Sequence, residues 1–217
     1  MYIHKHPYPP YIHENTEKLI VGTLPPPRFS VGELLEKDVD FCYGSAHNSL
    51  WRYIDKIYRL GLRYDNSAEA VEQRKRFLSE QRIGVFDIVE RCKRKDMTAS
   101  DLGMTNVVLR DLISALHRYT DVHTLLFIGG NSKNGPEYFF RRHAKSKGIS
   151  LNTVTTTSPR INRFSIQGRV IETVSLTSSS GAANISIGSN PEFKRKKAEN
   201  PDYTPFDFRI EQYKAFL

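Results

Sequence analysis

The sequence predicts an α/β sandwich built on a mainly parallel sheet. Three observations carry that expectation. Short apolar runs of strand length recur at residues 18–23, 83–89 and 123–129. Segments with helical spacing separate them. The chain of 217 residues, 39% hydrophobic and 26% charged, suits one hydrophobic core and shows neither an internal repeat nor a linker.

Each element follows from its residues. Residues 18–23 are β-rich and apolar and run into Pro25-Pro26-Pro27, so a buried strand opens there into a loop. Leu50, Trp51, Ile54, Ile57, Tyr58 and Leu60 recur at helical spacing in residues 48–60. Residues 67–81 are strongly charged and preceded by Asn66 and Ser67, which reads as a capped surface helix. Residues 83–89 form a second strand. Val107, Val108, Leu109, Leu112, Ile113 and Leu116 give residues 106–119 the pattern of an amphipathic helix. Residues 123–129 are a third buried strand, and residues 135–147 a helix with Pro136 near its first position. Residues 151–157 and 164–171 are strand-like, the second continuing through Gln167-Gly168 into residues 172–176. A helix starts at Gly181, and another covers residues 205–217. Residues 1–16 read as an N-terminal arm and residues 191–217 as a basic segment plus helix, all within a single domain 1–217.

Charge narrows the partners. The chain has 32 Lys+Arg against 24 Asp+Glu, a net charge of +8, which suggests a polyanionic partner or a merely basic surface. The surplus is uneven. Residues 1–50 carry 4 basic and 6 acidic side chains, whereas Tyr138 to Ile171 holds seven basic residues (Arg141, Arg142, Lys145, Lys147, Arg160, Arg163, Arg169) and no carboxylate. Such a block is a solvated face or, beside a site, a phosphate contact. Cys42 and Cys92 are too few for a disulfide framework and are expected as reduced thiols. The opening MYIHKHPYPPYIHE lacks the apolar core of a secretory leader, and the longest apolar runs, such as residues 125–128, are far shorter than a membrane span. A cytoplasmic or nucleoid-associated protein is expected, with no membrane contact. His4, His6 and His13 match no zinc spacing and are read as surface or packing residues.

In open α/β sheets, ligands bind beyond the carboxyl ends of the strands. Three segments emerge there: residues 22–30, 129–136 and 177–186. The first, GTLPPPRFS, has three consecutive prolines without backbone N–H, so it is a poor phosphate cradle and a better stiff wall for a flat ring. A rigid connector is its other reading. The second, Gly129-Gly130-Asn131, lacks the spacing of a dinucleotide fingerprint. The third, LTSSSGAANIS, presents small hydroxylated residues and N–H groups at a helix start, suited to an anion or to a solvated loop. Between them lies Phe41-Cys42-Tyr43-Gly44-Ser45-Ala46-His47-Asn48-Ser49-Leu50-Trp51. Tyr43 offers a stacking face. Asn48 can donate and accept at once, or it can simply cap the helix that follows.

Taken in order, these segments resemble the uracil-DNA glycosylase superfamily. The similarity is to its hypoxanthine-DNA glycosylase branch and the mismatch-specific uracil/thymine relatives. Tyr43, Gly44, Asn48 and Trp51 keep the spacing of the branch's Tyr-Gly-His-Pro-Arg-Asn-x-Phe-Trp, although Ser45-Ala46-His47 replaces His-Pro-Arg. Residues 83–94, with Gly84, Asp87, Ile88, Val89, Cys92 and Arg94, resemble Gly-x-x-x-Asp-Val-Val-x-x-Cys-x-Arg, followed by a Ser/Asp-rich turn over Thr98 to Asp101. His6-Pro7-Tyr8-Pro9-Pro10-Tyr11 resembles a leader seen before the first strand. The landmarks cover residues 6–190. The chain departs from mismatch-specific relatives at Leu24, where an Asn is usual, and it has no water-activating Asp in residues 22–30. Thr177-Ser178-Ser179 stands where the most active branch has a His.

The resemblance implies a three-layer α/β/α sandwich with a central, mainly parallel, four-stranded sheet. It implies a monofunctional glycosylase acting on DNA with a damaged or mismatched base, as a monomer and without cofactor. Base loss through an oxocarbenium-like transition state needs neither a metal nor a covalent nucleophile. Asn48 would then be the catalytic residue. Gly22, Thr23, Leu24, Pro25, Tyr43 and His47 would bind the base. Ser178, Ser179, Ser180, Gly181 and Asn184 would grip the target phosphate, with Lys133, Arg160 and Arg163 as further phosphate contacts. Ile185 and Ile187 are wedge candidates, with core burial the expectation for each. His47 either assists the leaving base or is structural, and Asp87 and Asp101 are expected as loop anchors. A catalytically weak nucleic-acid-binding module on this fold, or an N-glycosidase acting on free nucleosides or nucleotides, stays open beside the glycosylase.

Overall fold

The computed structural model describes residues 1–130 and 132–217. The strands are β1 (Tyr2–Lys5), β2 (Lys18–Val21), β3 (Ile83–Val85), β4 (Val89–Arg94), β5 (Thr105–Leu109), β6 (Thr124–Ile128), β7 (Asn152–Thr155), β8 (Arg160–Ile166) and β9 (Arg169–Leu176). The helices are α1 (Pro27–Val31), α2 (Leu50–Tyr58), α3 (Ala68–Glu80), α4 (Leu112–Arg118), α5 (Pro136–Ser146), α6 (Asn184–Gly188), α7 (Pro191–Glu199) and α8 (Pro205–Lys214).

The central sheet has six strands in the order β3-β2-β6-β9-β8-β7. Four of them, β3, β2, β6 and β9, are parallel, and β8 and β7 extend the sheet antiparallel. The expected four-stranded sheet is therefore the parallel part of a larger one. Its strands are apolar on both faces, as a doubly covered sheet requires. Leu19, Val21, Leu125 and Phe127 point into one core with Leu112 and Leu116 of α4 and Phe139 and Phe140 of α5. Ile20, Leu126, Val174 and Leu176 point into the other, with Trp51 and Ile54 of α2, Phe77 of α3 and Tyr213 of α8. This alternation places helices on both faces, giving the three layers.

Several segments differ from the sequence reading. Residues 83–89 are not one strand: β3 ends at Val85, and Val89 opens β4 in a second, antiparallel sheet of order β1-β4-β5. Residues 106–119 are not one helix. The β-branched Val108 pairs with Arg91 of β4, and Asp111 then caps α4 by accepting from the Ser114 N–H at 3.0 Å. Residues 164–176 turn back on themselves. Gln167 and Gly168 both have positive φ (48° and 75°), the geometry of a two-residue hairpin that pairs Ile166 with Arg169. The N-terminal segment is woven in, with β1 on β4 and Tyr11 bridged to Val85. His4 and His6 are buried, and His13 packs edge-on to Tyr11. Cys42 and Cys92 are buried and unpaired. No helix among the described residues is long and apolar enough to cross a membrane.

Among the described residues, four of the seven basic side chains in the carboxylate-free stretch meet acids. Glu137 meets both Arg141 and Arg160, Glu172 meets Arg163, and Asp111 meets Lys147. Arg169 donates to the backbone oxygens of Leu116 and Val122. Charge counted along the chain missed these pairs because Glu137 and Glu172 stand just outside the counted stretch and packing brings in Asp111.

Candidate active site

Beyond the carboxyl ends of the parallel strands lies a pocket of about 180 Å³. Gly22, Thr23, Leu24 and Pro25 enter from the end of β2, Tyr43, His47 and Asn48 from the turn before α2, and Ser178, Ser179 and Ser180 from the end of β9. Three segments read separately in the sequence thus meet at one place. The remaining phosphate candidates do not line this pocket. Lys133 lies on another surface cleft, beside Asn106 and Arg142. Arg160 is paired with Glu137, and Arg163 is held by both Nε and Nη2 to Glu172. Asn184 spends its Oδ1 accepting from Arg209 Nη1 at 2.7 Å, and Gly181 is exposed beside the serines. Asn131 lies outside the described residues.

The turn carrying Tyr43 and Asn48 is fixed from several sides. Trp51 Nε1 donates to the Cys42 carbonyl at 2.8 Å. Arg28, just after the prolines, donates to both carboxylate oxygens of Asp38 and to Ser45 Oγ. Asp38 also accepts from the backbone N–H of Leu35 and Ala46. Burial pushes the Asp38 carboxyl up, but these donors outweigh it and hold it below the usual range. Tyr43 adopts φ 58°, a costly conformation for a tyrosine, and is followed by Gly44, whose added Cβ would overlap the Val39 carbonyl oxygen. The carbonyl of Asn48 accepts from the Leu50 N–H at 2.9 Å, so its oxygen faces the helix start and its amide nitrogen is left as the donor. His47 is exposed at the rim.

The serine loop is held by α8, a contribution the sequence did not reveal. Arg209 Nε donates to the Ser178 carbonyl at 2.9 Å and Nη2 to that of Ser180 at 3.2 Å. Tyr213 Oη donates to the Thr177 carbonyl at 2.7 Å, and the Ser49 N–H to that of Ser179 at 3.0 Å. Ile187 is buried with Phe193, Tyr203 and Phe208, as expected, but Ile185 is 88% exposed, contrary to the burial expected for it.

Two carboxylates missed as pocket residues, Asp87 and Asp101, line it as well. Asp87 follows β3. Its Oδ1 accepts from the Gly22 N–H at 2.9 Å and from Tyr43 Oη at 3.0 Å, and its Oδ2 lies 2.9 Å from His6 Nε2. His6 Nδ1 accepts from the Tyr8 N–H, which places the ring proton on Nε2 for donation to Asp87. Burial and the Asp87 charge hold the Tyr43 phenol well above its usual range, so it stays a neutral donor. Both acids fall inside the segments whose pattern resembled the glycosylases, and that was the available signal. A Cβ added at Gly22 would overlap the Tyr43 hydroxyl and lie 2.7 Å from Asp87 Oδ1. Gly22→Ala is therefore expected to displace Tyr43 and destabilise the fold by about 1–3 kcal/mol, read as a lower urea midpoint.

No protein-family model matches the chain. A solution NMR structure from Methanosarcina acetivorans, provisionally named a uracil DNA glycosylase, superposes over 97% of this chain and 99% of its own, with a TM-score of 0.54 at 21% identity. The chain has the uracil-DNA glycosylase fold. On this glycosylase fold the pocket occupies the carboxyl end of the parallel strands. A curated relative, hypoxanthine DNA glycosylase from Methanosarcina barkeri, is 33% identical over 94 residues, 42% of this chain. The match spans 51% of that relative's length. The chain is thus similar to a hypoxanthine DNA glycosylase over part of its sequence and to the NMR structure in fold.

Proposed function

We propose that this chain is a monofunctional DNA glycosylase that flips out and hydrolytically removes a deaminated base, hypoxanthine or uracil, in base excision repair. The observation that carries the proposal is the convergence of residues 22–25, 43–48 and 178–180 on one pocket. The similarity to a hypoxanthine DNA glycosylase supports the choice of base.

In this reading the flipped base enters the pocket and stacks on Tyr43. As the glycosidic bond lengthens, positive charge grows on the sugar and negative charge on the base. The Asn48 amide and the backbone N–H groups of Thr23 and Leu24 donate to that negative charge. The carbonyl of Asn48 is already engaged by Leu50, which favours the donor role over holding a water. Ser178 to Gly181 receive the phosphate, and Ile185, exposed on α6, fills the gap left in the stack. Lys37, Arg52, Lys56 and Arg59 line an open cleft, and Arg52 donates to the Ala46 carbonyl within the Tyr43–Asn48 turn. This patch continues the site along a DNA backbone, a feature that a free nucleoside would not need.

The test is an alkali-cleavage assay on labelled oligonucleotides bearing hypoxanthine, uracil, xanthine or a G·T mismatch. Alkali-labile product from the hypoxanthine or uracil strand is expected. No abasic product from any of them at enzyme excess would sink the reading.

A further inference from the structure

Two carboxylates face the pocket, and they are held differently. Asp87 gives both oxygens to protein donors, namely Gly22, Tyr43 and His6. Asp101 receives a single side-chain contact among the described residues, from Thr23 Oγ1 to its Oδ1 at 2.8 Å. Its second oxygen remains for a water.

The surroundings of Asp101 build its backbone into place without neutralising its charge. It stands at the start of the short turn 101–103, after the loop that follows β4. Arg94, buried behind that loop, donates from Nη1 to the carbonyls of Thr98 (3.1 Å) and Ser100 (2.6 Å), and from Nε to His4 Nδ1 at 2.9 Å. Asn134, also buried, donates to the carbonyls of Asp101 (3.0 Å) and Met104 (3.1 Å). The guanidinium beside Asp101 thus spends Nη1 on backbone oxygens and Nε on His4, its Nη2 is buried without a hydrogen-bond partner, and no ion pair with Asp101 forms among the described residues. The carboxylate lines the pocket beside the segment that would meet the base.

We propose that Asp101 is a catalytic residue of this pocket, a general base for the water that attacks the sugar. The inference rests on the glycosylase reading above. The water oxygen bonds to the anomeric carbon and gives one proton to Asp101. The bond from that carbon to the base nitrogen breaks, and its electron pair leaves with the base. The base then takes a proton from Asp101 or solvent, so that water and nucleotide yield abasic sugar and free base.

The electrostatics agree with this task. Burial raises the Asp101 carboxyl to about 6, against the lowering effects of the Thr23 hydrogen bond and Arg94, with Asp87 adding to the rise. The charged groups facing it are Asp87 beyond β3 and Arg94 of β4. Thr23 and Asn134 approach it as neutral groups, and the serine loop brings no charge. A base of this strength is ionised at neutral pH and can accept a proton.

The test is single-turnover base release from a hypoxanthine- or uracil-containing oligonucleotide across pH 5–8. In the wild type, the logarithm of the rate should rise to about pH 6 and then level. Asp101→Asn, which keeps an acceptor for Thr23, should lose about 10²-fold or more in rate, bind the oligonucleotide within a few-fold of wild type, and show no rise near pH 6. Thr23→Val removes the hydrogen bond that lowers the Asp101 carboxyl and should move the rise to higher pH. Undiminished release by Asp101→Asn, or a flat wild-type profile, would overturn the role of Asp101 and leave the glycosylase reading standing. If Asp101→Asn fails to fold, an unmoved rise in Thr23→Val overturns it instead. A wild type that releases no base overturns both.

Discussion

Asn48→Asp is expected to lower base release by about 10²-fold or more while leaving the fold as stable as the wild type. The two halves of the Asn48 amide have separate duties. Its oxygen accepts from the Leu50 N–H at 2.9 Å, completing the start of α2. In the proposed mechanism its nitrogen carries the donors that meet the departing base. Aspartate keeps the first function, and its negative charge near a helix start is favourable. It cannot perform the second, and it places negative charge where the leaving base develops its own. Asn48→Ala removes both functions, so it should show the same catalytic loss together with about 1 kcal/mol of destabilisation from the lost acceptor. The pair separates chemistry from capping. Single-turnover rates and urea unfolding of the two variants provide the check. An Asn48→Asp protein that releases base at the wild-type rate would return Asn48 to the bare capping role that the sequence also allowed.

What the sequence made legible was local. Tyr43, Asn48 and the serines stand at the ends of elements whose apolar patterns are clear, and strand ends in a parallel sheet converge on one side. The residues it concealed act across long sequence separations. Asp101 meets Thr23 across 78 positions, and Arg209 meets Ser178 across 31. No periodicity reports such a closure. The basic stretch misled for the same reason. Arg163 has no acid near it in the chain, yet the hairpin register sets it directly opposite Glu172. The strand at residues 105–109 was hidden by another ambiguity, because a short apolar run fits a helix face as well as a sheet until its partner is known.

Asp87→Asn is expected to destabilise the protein by about 2–3 kcal/mol, despite being nearly isosteric. Asp87 is buried and accepts from three groups that come from three separate segments: the Gly22 N–H, the Tyr43 hydroxyl and His6 Nε2. An asparagine can turn its oxygen toward Gly22 and Tyr43. Its amide nitrogen must then face His6 Nε2, which already carries a proton. The imidazole cannot shift that proton to Nδ1, because Nδ1 accepts from the Tyr8 N–H at 3.1 Å. Two donors therefore confront each other in a buried site, and neither can reach water. Turning the amide the other way relieves His6 but sets an amide N–H against the Gly22 N–H, and the Tyr43 hydroxyl keeps a partner only by turning to accept. Either way Tyr43 loses its charged acceptor, so base release should fall along with stability. Removing the His6 ring supplies an internal control. In a His6→Ala background the donor–donor conflict is gone, and Asp87→Asn should then cost measurably less than it does alone, a coupling read by urea unfolding of the four proteins in the cycle. Equal costs in the two backgrounds would mean that His6 and Asp87 act independently. The pocket would then owe its shape to the Gly22 and Tyr43 contacts without the N-terminal segment.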